Sequence, residues 1–115
     1  MIIDVWRRAN AWHVGRYIIM PDHIHLFCAP GSAGCPALGQ WVSMWMSLSA
    51  AVWPDRTVQK VWRQGFWDTL LPHPDLYAVK WEYVRMNPIR KGLTRNVDTW
   101  RFQGEVNTFQ WRGKA

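Results

Sequence analysis

Two stretches of β-branched and aromatic residues, separated by a three-residue turn, place the strongest constraint on how this chain folds. The first, WHVGRYII, covers residues 12–19, and the second, HIHLFCA, covers residues 23–29. Both compositions are typical of strands. The intervening Met20-Pro21-Asp22 favours a turn, because proline restricts φ and aspartate hydrogen-bonds to nearby backbone. The sequence therefore predicts a hairpin of two antiparallel strands.

Helical patterns lie on both sides of this hairpin. Residues 2–9 (IIDVWRRA) are consistent with the last turns of a helix, and residues 30–36 (PGSAGCP) form a loop rich in helix breakers. A helix is then predicted over residues 37–53, because apolar side chains recur there at helical spacing. These side chains are Leu38, Trp41, Trp45, Leu48 and Val52.

The second half of the chain adds a strand and a helix to this prediction. Residues 61–70 (VWRQGFWDTL) have strand composition, with Gly65 as a candidate bulge. The last helix is predicted over residues 75–86 and ends at Asn87-Pro88, since the residue before a proline is disfavoured in the helical region. The whole pattern indicates an α+β fold with an antiparallel sheet, and residues 1–115 are expected to form a single domain.

Length and hydropathy also bear on where such a chain would reside. No apolar run approaches the roughly 18 residues of a membrane span, and the first ten residues lack the order of a signal peptide. We therefore expect a soluble intracellular protein with no membrane partner. Cys28 and Cys35 are the only cysteines, and we expect both to be reduced. A zinc site that joins Cys28 to the histidines of the second strand is discounted, because a regular strand turns Cys28 to the opposite face.

Charge is the compositional feature that points to a partner. Fourteen Lys and Arg against eight Asp and Glu give a net charge of +6 and a pI near 9.9. Residues 80–115 contribute most of the excess, with eight basic and three acidic side chains. This balance favours a polyanionic partner. The ten tryptophans are compatible with base stacking, although we expect most of them to be core or partly buried residues.

Two pairs of side chains could carry chemistry. His23 and His25 share one strand face because side chains alternate, so two imidazoles could hold one metal ion; solvent-facing histidines with no function are the alternative. Tyr83 and Asn87 lie four residues apart and project from nearly one helix face. Tyr83 could instead pack with other apolar residues of its helix, and Asn87 could cap a short helix that begins at Pro88.

Three stretches together resemble the single-tyrosine HUH transposases, and in particular their REP-associated tyrosine transposase branch. They are YIIMPDHIHLF at residues 17–27, VWRQGFWD at residues 61–68 and YVRMNPIRKGL at residues 83–93. The resemblance implies a ferredoxin-like α+β fold with an antiparallel sheet. It also implies that the chain is shortened at its N-terminus, without the family's first strand and most of its first helix.

The resemblance also implies a function and assigns roles to residues. The protein would cleave and rejoin single-stranded DNA through a 5′-phosphotyrosine intermediate, with Tyr83 as nucleophile. His23, His25 and Asn87 would hold Mg²⁺ or Mn²⁺. The partner would be single-stranded or hairpin DNA in the bacterial cytoplasm, near the nucleoid, and a homodimer is possible. The basic side chains expected to contact DNA are Arg85, Arg90, Lys91 and Arg95.

Two other functions are compatible with the same residues. A catalytically silent protein derived from a transposase would keep the fold and the charge and would bind DNA without cutting it. A small metal-dependent hydrolase would use the metal site without the tyrosine. Covalent capture of DNA by Tyr83 separates the transposase from both alternatives.

Overall fold

The computed structural model describes residues 1–58, 61–62, 70–71 and 74–109. By its internal contacts the chain divides into two compact units. The first unit combines residues 1–13 with residues 29–68, and the second combines residues 14–28 with residues 69–115. The single-domain interpretation of residues 1–115 stays a prediction.

Two helices form the core of the first unit. Helix α1 spans Ile2–Arg8, with an acidic residue in its first turn and two basic residues in its last, which complements the helix dipole. Helix α2 spans Leu38–Ala51. The rings of Trp6 in α1 and Trp45 in α2 meet edge to face with their centroids 5.7 Å apart. The indole N–H of Trp41 donates a 2.6 Å hydrogen bond to the carbonyl oxygen of Ala9. Large aromatic side chains therefore hold α1 against α2.

The sheet has three strands among the described residues. Strands β1 (Trp12–Ile19) and β2 (Ile24–Pro30) form the predicted hairpin, and the short strand β3 (Gln103–Glu105) pairs with the other side of β1. The turn closes with a 2.8 Å hydrogen bond from the amide of Met20 to the carbonyl of His23. Strands β1 and β3 are antiparallel, with Arg16 opposite Glu105 and Ile18 opposite Gln103.

The helices of the second unit follow one another closely along the chain. Helix α3 spans Pro74–Arg85, helix α4 spans Asn87–Arg90, and a 3₁₀ turn spans Val97–Thr99. Pro74 suits the first position of α3 because its missing amide hydrogen is not needed there. Gly92 follows α4 with φ 71°, a left-handed conformation that glycine adopts without strain.

The core of the second unit joins α3 to the sheet. Ile18 of β1 clusters with Trp81 and Val84 of α3, and the partly buried rings of Phe27, Tyr77 and Trp100 pack against this cluster. The Phe27 and Tyr77 rings stack with their centroids 4.7 Å apart. Since Phe27 has the same strand parity as His25, this packing turns that face of β2 toward α3.

Most predicted elements are confirmed, and the differences have physical causes. The α+β class and the antiparallel sheet are correct, and the first strand is confirmed at residues 12–19. Strand β2 begins at Ile24 rather than at His23. Ahead of β1 the chain forms a helix and no strand. Most of the strand predicted at residues 61–70 lies outside the described residues.

The C-terminal half contains two findings that the sequence did not indicate. Strand β3 was not predicted, because its three residues carry no strand composition and their pairing is decided by β1. A short helix does include Pro88, but it begins at Asn87. Its N-cap residue is Met86, whose side chain forms no capping hydrogen bond. The interpretation of Asn87 as a helix cap is therefore wrong.

Candidate active site

The two histidines lie together at the start of β2. The centroids of the His23 and His25 rings are 4.9 Å apart, with an interplanar angle of 85°. Although His23 precedes the first paired residue of the strand, the extended chain keeps both rings on one side. Alternation of side chains along the strand therefore places two imidazoles next to each other, as the sequence predicted.

Asp22 orients one of these rings. Its carboxylate oxygen Oδ1 lies 2.6 Å from Nδ1 of His23. The pKa of the Asp22 carboxyl is below its ordinary value, because it accepts this hydrogen bond and because the imidazole can carry positive charge. A carboxylate acceptor places the ring proton on Nδ1 and leaves the lone pair on Nε2. Histidines that bind metals are commonly oriented by such a carboxylate.

Charged side chains from α3 and α4 lie close enough to His25 to affect its pKa. Burial lowers the pKa of the His25 imidazole below its ordinary value, and the positive charge of His23 lowers it further. The positive charges of Lys80 in α3 and Arg90 in α4 act in the same direction. The neutral imidazole that results is the form that binds metal ions. Lys80 and Arg90 are thus close enough to His25 to act on its charge.

Tyr83 lies on the exposed side of α3, and the same two cations lie near its ring. The Cζ atom of Arg90 is 4.2 Å from the centroid of the Tyr83 ring, and the Nζ atom of Lys80 is 6.0 Å from it. Tyr83 is 62% exposed, and Val79, one turn earlier, is 68% exposed. The alternative that Tyr83 is a packing residue is therefore wrong, because α3 buries Trp81 and Val84 instead.

Arg90 connects Tyr83 to Asn87. Its Nη2 group donates a 2.6 Å hydrogen bond to the backbone carbonyl of Tyr83 and a short hydrogen bond to the side-chain oxygen Oδ1 of Asn87. The sequence indicated a phosphate contact for Arg90 but not these bonds. The available signal was spacing, since Arg90 lies three residues after Asn87, in the same short helix, and seven residues after Tyr83.

The donor set suits a small divalent cation. Two imidazole nitrogens and one amide oxygen are offered by His23, His25 and Asn87, and imidazole and carbonyl-type oxygen both bind Mn²⁺ or Mg²⁺. The oriented ring of His23 supports this fit. Within the described part of the chain, no three His, Cys, Asp or Glu side chains gather in a way that could hold a metal ion. A third protein ligand would therefore come from another residue type, and the family resemblance gives that role to Asn87.

The other three residues predicted to contact DNA, Arg85, Lys91 and Arg95, lie in different environments. Arg85 forms ion pairs with Glu82, at 3.3 Å, and with Asp98, at 3.8 Å. Lys91 is exposed and lowers the pKa of Asp22 through its charge, after the larger effects of His23. Arg95 is exposed in the segment between α4 and the 3₁₀ turn. Lys91 therefore lies on the histidine side, whereas Arg85 contacts the 3₁₀ turn through Asp98.

A solved structure provides the comparison for the fold. A REP-associated tyrosine transposase bound to a REP hairpin superposes on this chain with a TM-score of 0.68 and 20% sequence identity, covering 89% of this chain and 59% of that one. No family model matches the sequence. The α+β fold of this chain is therefore similar to the fold of that transposase.

A particular curated protein is similar in sequence as well. The REP-associated tyrosine transposase of Escherichia coli (strain K12) is 19% identical to this chain over 96 residues, which are 84% of this chain and 56% of that protein. The resemblance stated from the three motifs is thus supported by sequence and by structure. The chain spans a little over half the length of both relatives. Among the described residues, no helix is long and apolar enough to cross a bilayer.

Proposed function

We propose that this protein binds single-stranded or hairpin DNA and cleaves and rejoins it through Tyr83. The observation that carries the proposal is the pair of cations beside the Tyr83 ring, Lys80 and Arg90. The same two side chains act on the charge of His25. A tyrosine, an imidazole pair and positive charge on one surface form a suitable site for a phosphodiester. The fold of a tyrosine transposase domain supports the same function.

The residues that would hold a divalent cation are His23, His25 and Asn87. Bound there, Mg²⁺ or Mn²⁺ would stabilise negative charge on the phosphate oxygens during strand transfer. Oδ1 of Asn87 already accepts a hydrogen bond from Arg90, so its second lone pair would be the one that binds the cation. The carboxylate of Asp22 would keep the His23 ring in a fixed orientation meanwhile.

Tyr83 would be the nucleophile. Its oxygen would form a bond to the phosphorus atom, the bond from phosphorus to the 3′ oxygen would break, and the phenolic proton would be released to solvent. The departing 3′ oxygen would take up a proton and become a hydroxyl. Because one phosphodiester replaces another, a 3′ hydroxyl can later attack the phosphotyrosine and rejoin a strand. The exposure of Tyr83 leaves room for a strand to approach.

Positive side chains would hold the phosphate backbone near this site. The expected contacts are Arg85, Arg90, Lys91 and Arg95, and the net charge of +6 gives the whole chain an attraction for DNA. Binding would therefore weaken steeply as salt concentration rises. A protein that acts on DNA in this way would reside in the bacterial cytoplasm, near the nucleoid. A homodimer is compatible with the proposal but is not required by it.

The decisive experiment looks for a covalent protein–DNA product. The protein is incubated with labelled hairpin DNA that carries single-stranded flanks, in the presence of Mn²⁺, and the products are separated on a denaturing gel. A labelled protein band that is lost in Tyr83→Phe and in His25→Ala supports the proposal. Tyr17→Phe is the matched control, because it removes the same hydroxyl from a strand residue outside the proposed site, and it should retain the product.

The competing functions predict other outcomes. Hairpin binding with no covalent product, in protein whose fold is verified by circular dichroism, would identify a silent DNA-binding protein. Multiple turnover that survives Tyr83→Phe would identify a metal-dependent hydrolase. Either result would refute the assignment of Tyr83 as nucleophile.

A further inference from the structure

The outward face of α2 carries no charge. Residues 26–54, which include the whole of α2, contain no Asp, Glu, Lys, Arg or His, although the net charge of the chain is +6. The helix buries Trp41, Val42, Trp45 and Ser49 on its other side. An exposed helix face normally carries charged residues. A solvent-exposed helix face without them is typical of an interaction surface.

Two rows of side chains at four-residue spacing form this face. The larger residues make a ridge, and they are 42%, 44% and 44% exposed: Met44, Leu48 and Val52. The smaller residues make a groove beside the ridge, and all of them are exposed: Ser43, Ser47 and Ala51. Rows of this spacing are the ridges through which helices most often pack against one another.

A ridge beside a groove of the same spacing is complementary to itself. When two helices cross at about −50°, their four-residue ridges interdigitate, so the ridge of each copy enters the groove of the other. A two-fold axis generates both contacts at once, because it presents the same patch on both subunits. The centre of the patch, at Ser47 and Leu48, then meets its own copy. The face therefore fits a second copy of this chain.

Electrostatics favour a second copy at α2 over one at α3. The residues Leu76, Val79 and Tyr83 are also exposed along α3, but Lys80 and Arg90 lie near the Tyr83 ring. Two copies would bring these like charges together, whereas α2 contributes no such repulsion. The first turn of α2 has no acidic residue and its last turn has no basic one. An antiparallel partner would thus place the opposite end of a helix dipole beside each end of α2.

We propose that two copies of this chain associate through the outward face of α2, with Ser47 and Leu48 at the centre of a two-fold interface. The helix has 14 residues and is about 21 Å long, so the interface is smaller than the roughly 1,200 Å² of standard stable complexes. The dimer is therefore weak and depends on protein concentration. None of the residues proposed to bind or cleave DNA belongs to α2, so the inference does not rest on the proposed function.

The first experiment measures the oligomeric state of the protein without DNA. Sedimentation velocity is recorded over an about hundredfold range of protein concentration, because a weak dimer forms by mass action. We expect monomer at the lowest concentration and dimer, with nothing larger, at the highest. Leu48→Lys places two ammonium groups in the interface and should raise the dimer dissociation constant more than about tenfold. Leu76→Lys makes the same change in α3 at a residue that is also 44% exposed, and it should dimerise as the wild type does.

The second experiment tests which residues lie at the two-fold axis. Ser47→Cys is oxidised with copper phenanthroline and analysed on a non-reducing gel, and the wild type, which contains Cys28 and Cys35, gives the baseline. Because the axis brings both copies of residue 47 together, the variant should form a disulfide-linked dimer above that baseline. Ala78→Cys, at an exposed position of α3, should not.

A second variant covers the case in which Leu48→Lys fails to fold, which circular dichroism would show. Ser47→Leu fills the groove without adding charge, and it should also weaken the dimer because the ridge of the partner can no longer enter. A dimer that both Leu48→Lys and Ser47→Leu leave unchanged would overturn the proposal.

Three further results would also overturn it. A protein that stays monomeric at every concentration would leave the α2 face for a different partner or for another segment of a longer chain. A dimer lost in Leu76→Lys and retained in Leu48→Lys would place the interface at α3. Oligomers that keep growing with concentration would exclude a two-fold interface, because such an interface closes at two copies. Covalent capture of DNA by Tyr83 is measured separately and succeeds or fails independently of these results.

Discussion

Arg90→Lys should slow strand cleavage without weakening the attraction for DNA. The guanidinium of Arg90 contacts three groups at once: the Tyr83 ring, the Tyr83 carbonyl and the side-chain oxygen of Asn87. A lysine at this position keeps the positive charge, but its ammonium group cannot lie flat on the ring while it reaches both oxygens. The substitution therefore removes the positioning of the nucleophile and preserves the electrostatics.

The contacts that Arg90 loses determine how much the cleavage rate should decrease. An exposed cation–π contact contributes about 0.5–1 kcal/mol, and a net hydrogen bond contributes about 0.5–1.5 kcal/mol. Lysine can retain one hydrogen bond, so the loss is about 1–2.5 kcal/mol for one hydrogen bond and the ring contact. If the full loss falls on the transition state, the cleavage rate decreases about 5- to 70-fold.

Two measurements distinguish positioning from charge. Single-turnover cleavage of hairpin DNA in Mn²⁺ reports the rate, and anisotropy at several salt concentrations reports the phosphate contacts, whose number should not change. Arg8→Lys in α1 makes the same substitution outside the candidate site and should cleave at the wild-type rate. Wild-type cleavage by both Arg90→Lys and Arg90→Ala would refute the reasoning, because neither variant can hold Tyr83 and Asn87 as Arg90 does.

The remaining predictions concern stability and are measured by urea unfolding. Gly15→Ala should lower the free energy of unfolding by about 1–3 kcal/mol, because its Cβ would lie 2.5 Å from the hydroxyl of Tyr77; Gly34→Ala, whose Cβ meets nothing within 4 Å, should be neutral, and equal effects would contradict the packing. Trp41→Phe should cost about 2–4 kcal/mol, because it removes the hydrogen bond to Ala9 and leaves a void, and an unchanged midpoint would count against this. Burial raises the pKa of the Tyr77 phenol, so its contribution to stability is complete below about pH 10 and is lost as pH rises through the folded-state pKa. Tyr77→Phe should thus lose less stability than the wild type in this alkaline range, and parallel curves would contradict the burial argument.

Motifs and residue spacing predicted part of the candidate site. Strand alternation was enough to place His23 and His25 on one face, and helical spacing was enough to bring Tyr83 and Asn87 near each other. Neither pattern could indicate that Arg90 lies against the Tyr83 ring, because a helix surface allows a long side chain several directions. That contact depends on how α4 follows α3 at Asn87-Pro88.

The sequence by itself determined the hairpin, the two long helices and the excess of positive charge in the last third of the chain. Each of these depends on residues within a few positions of one another, where the periods of strand and helix operate. Only the tertiary structure decided that Gln103–Glu105 becomes a strand and that Arg16 faces Glu105. The physical reason is that a strand partner is chosen by packing and register across the whole chain, and a three-residue segment carries too little local preference to specify it.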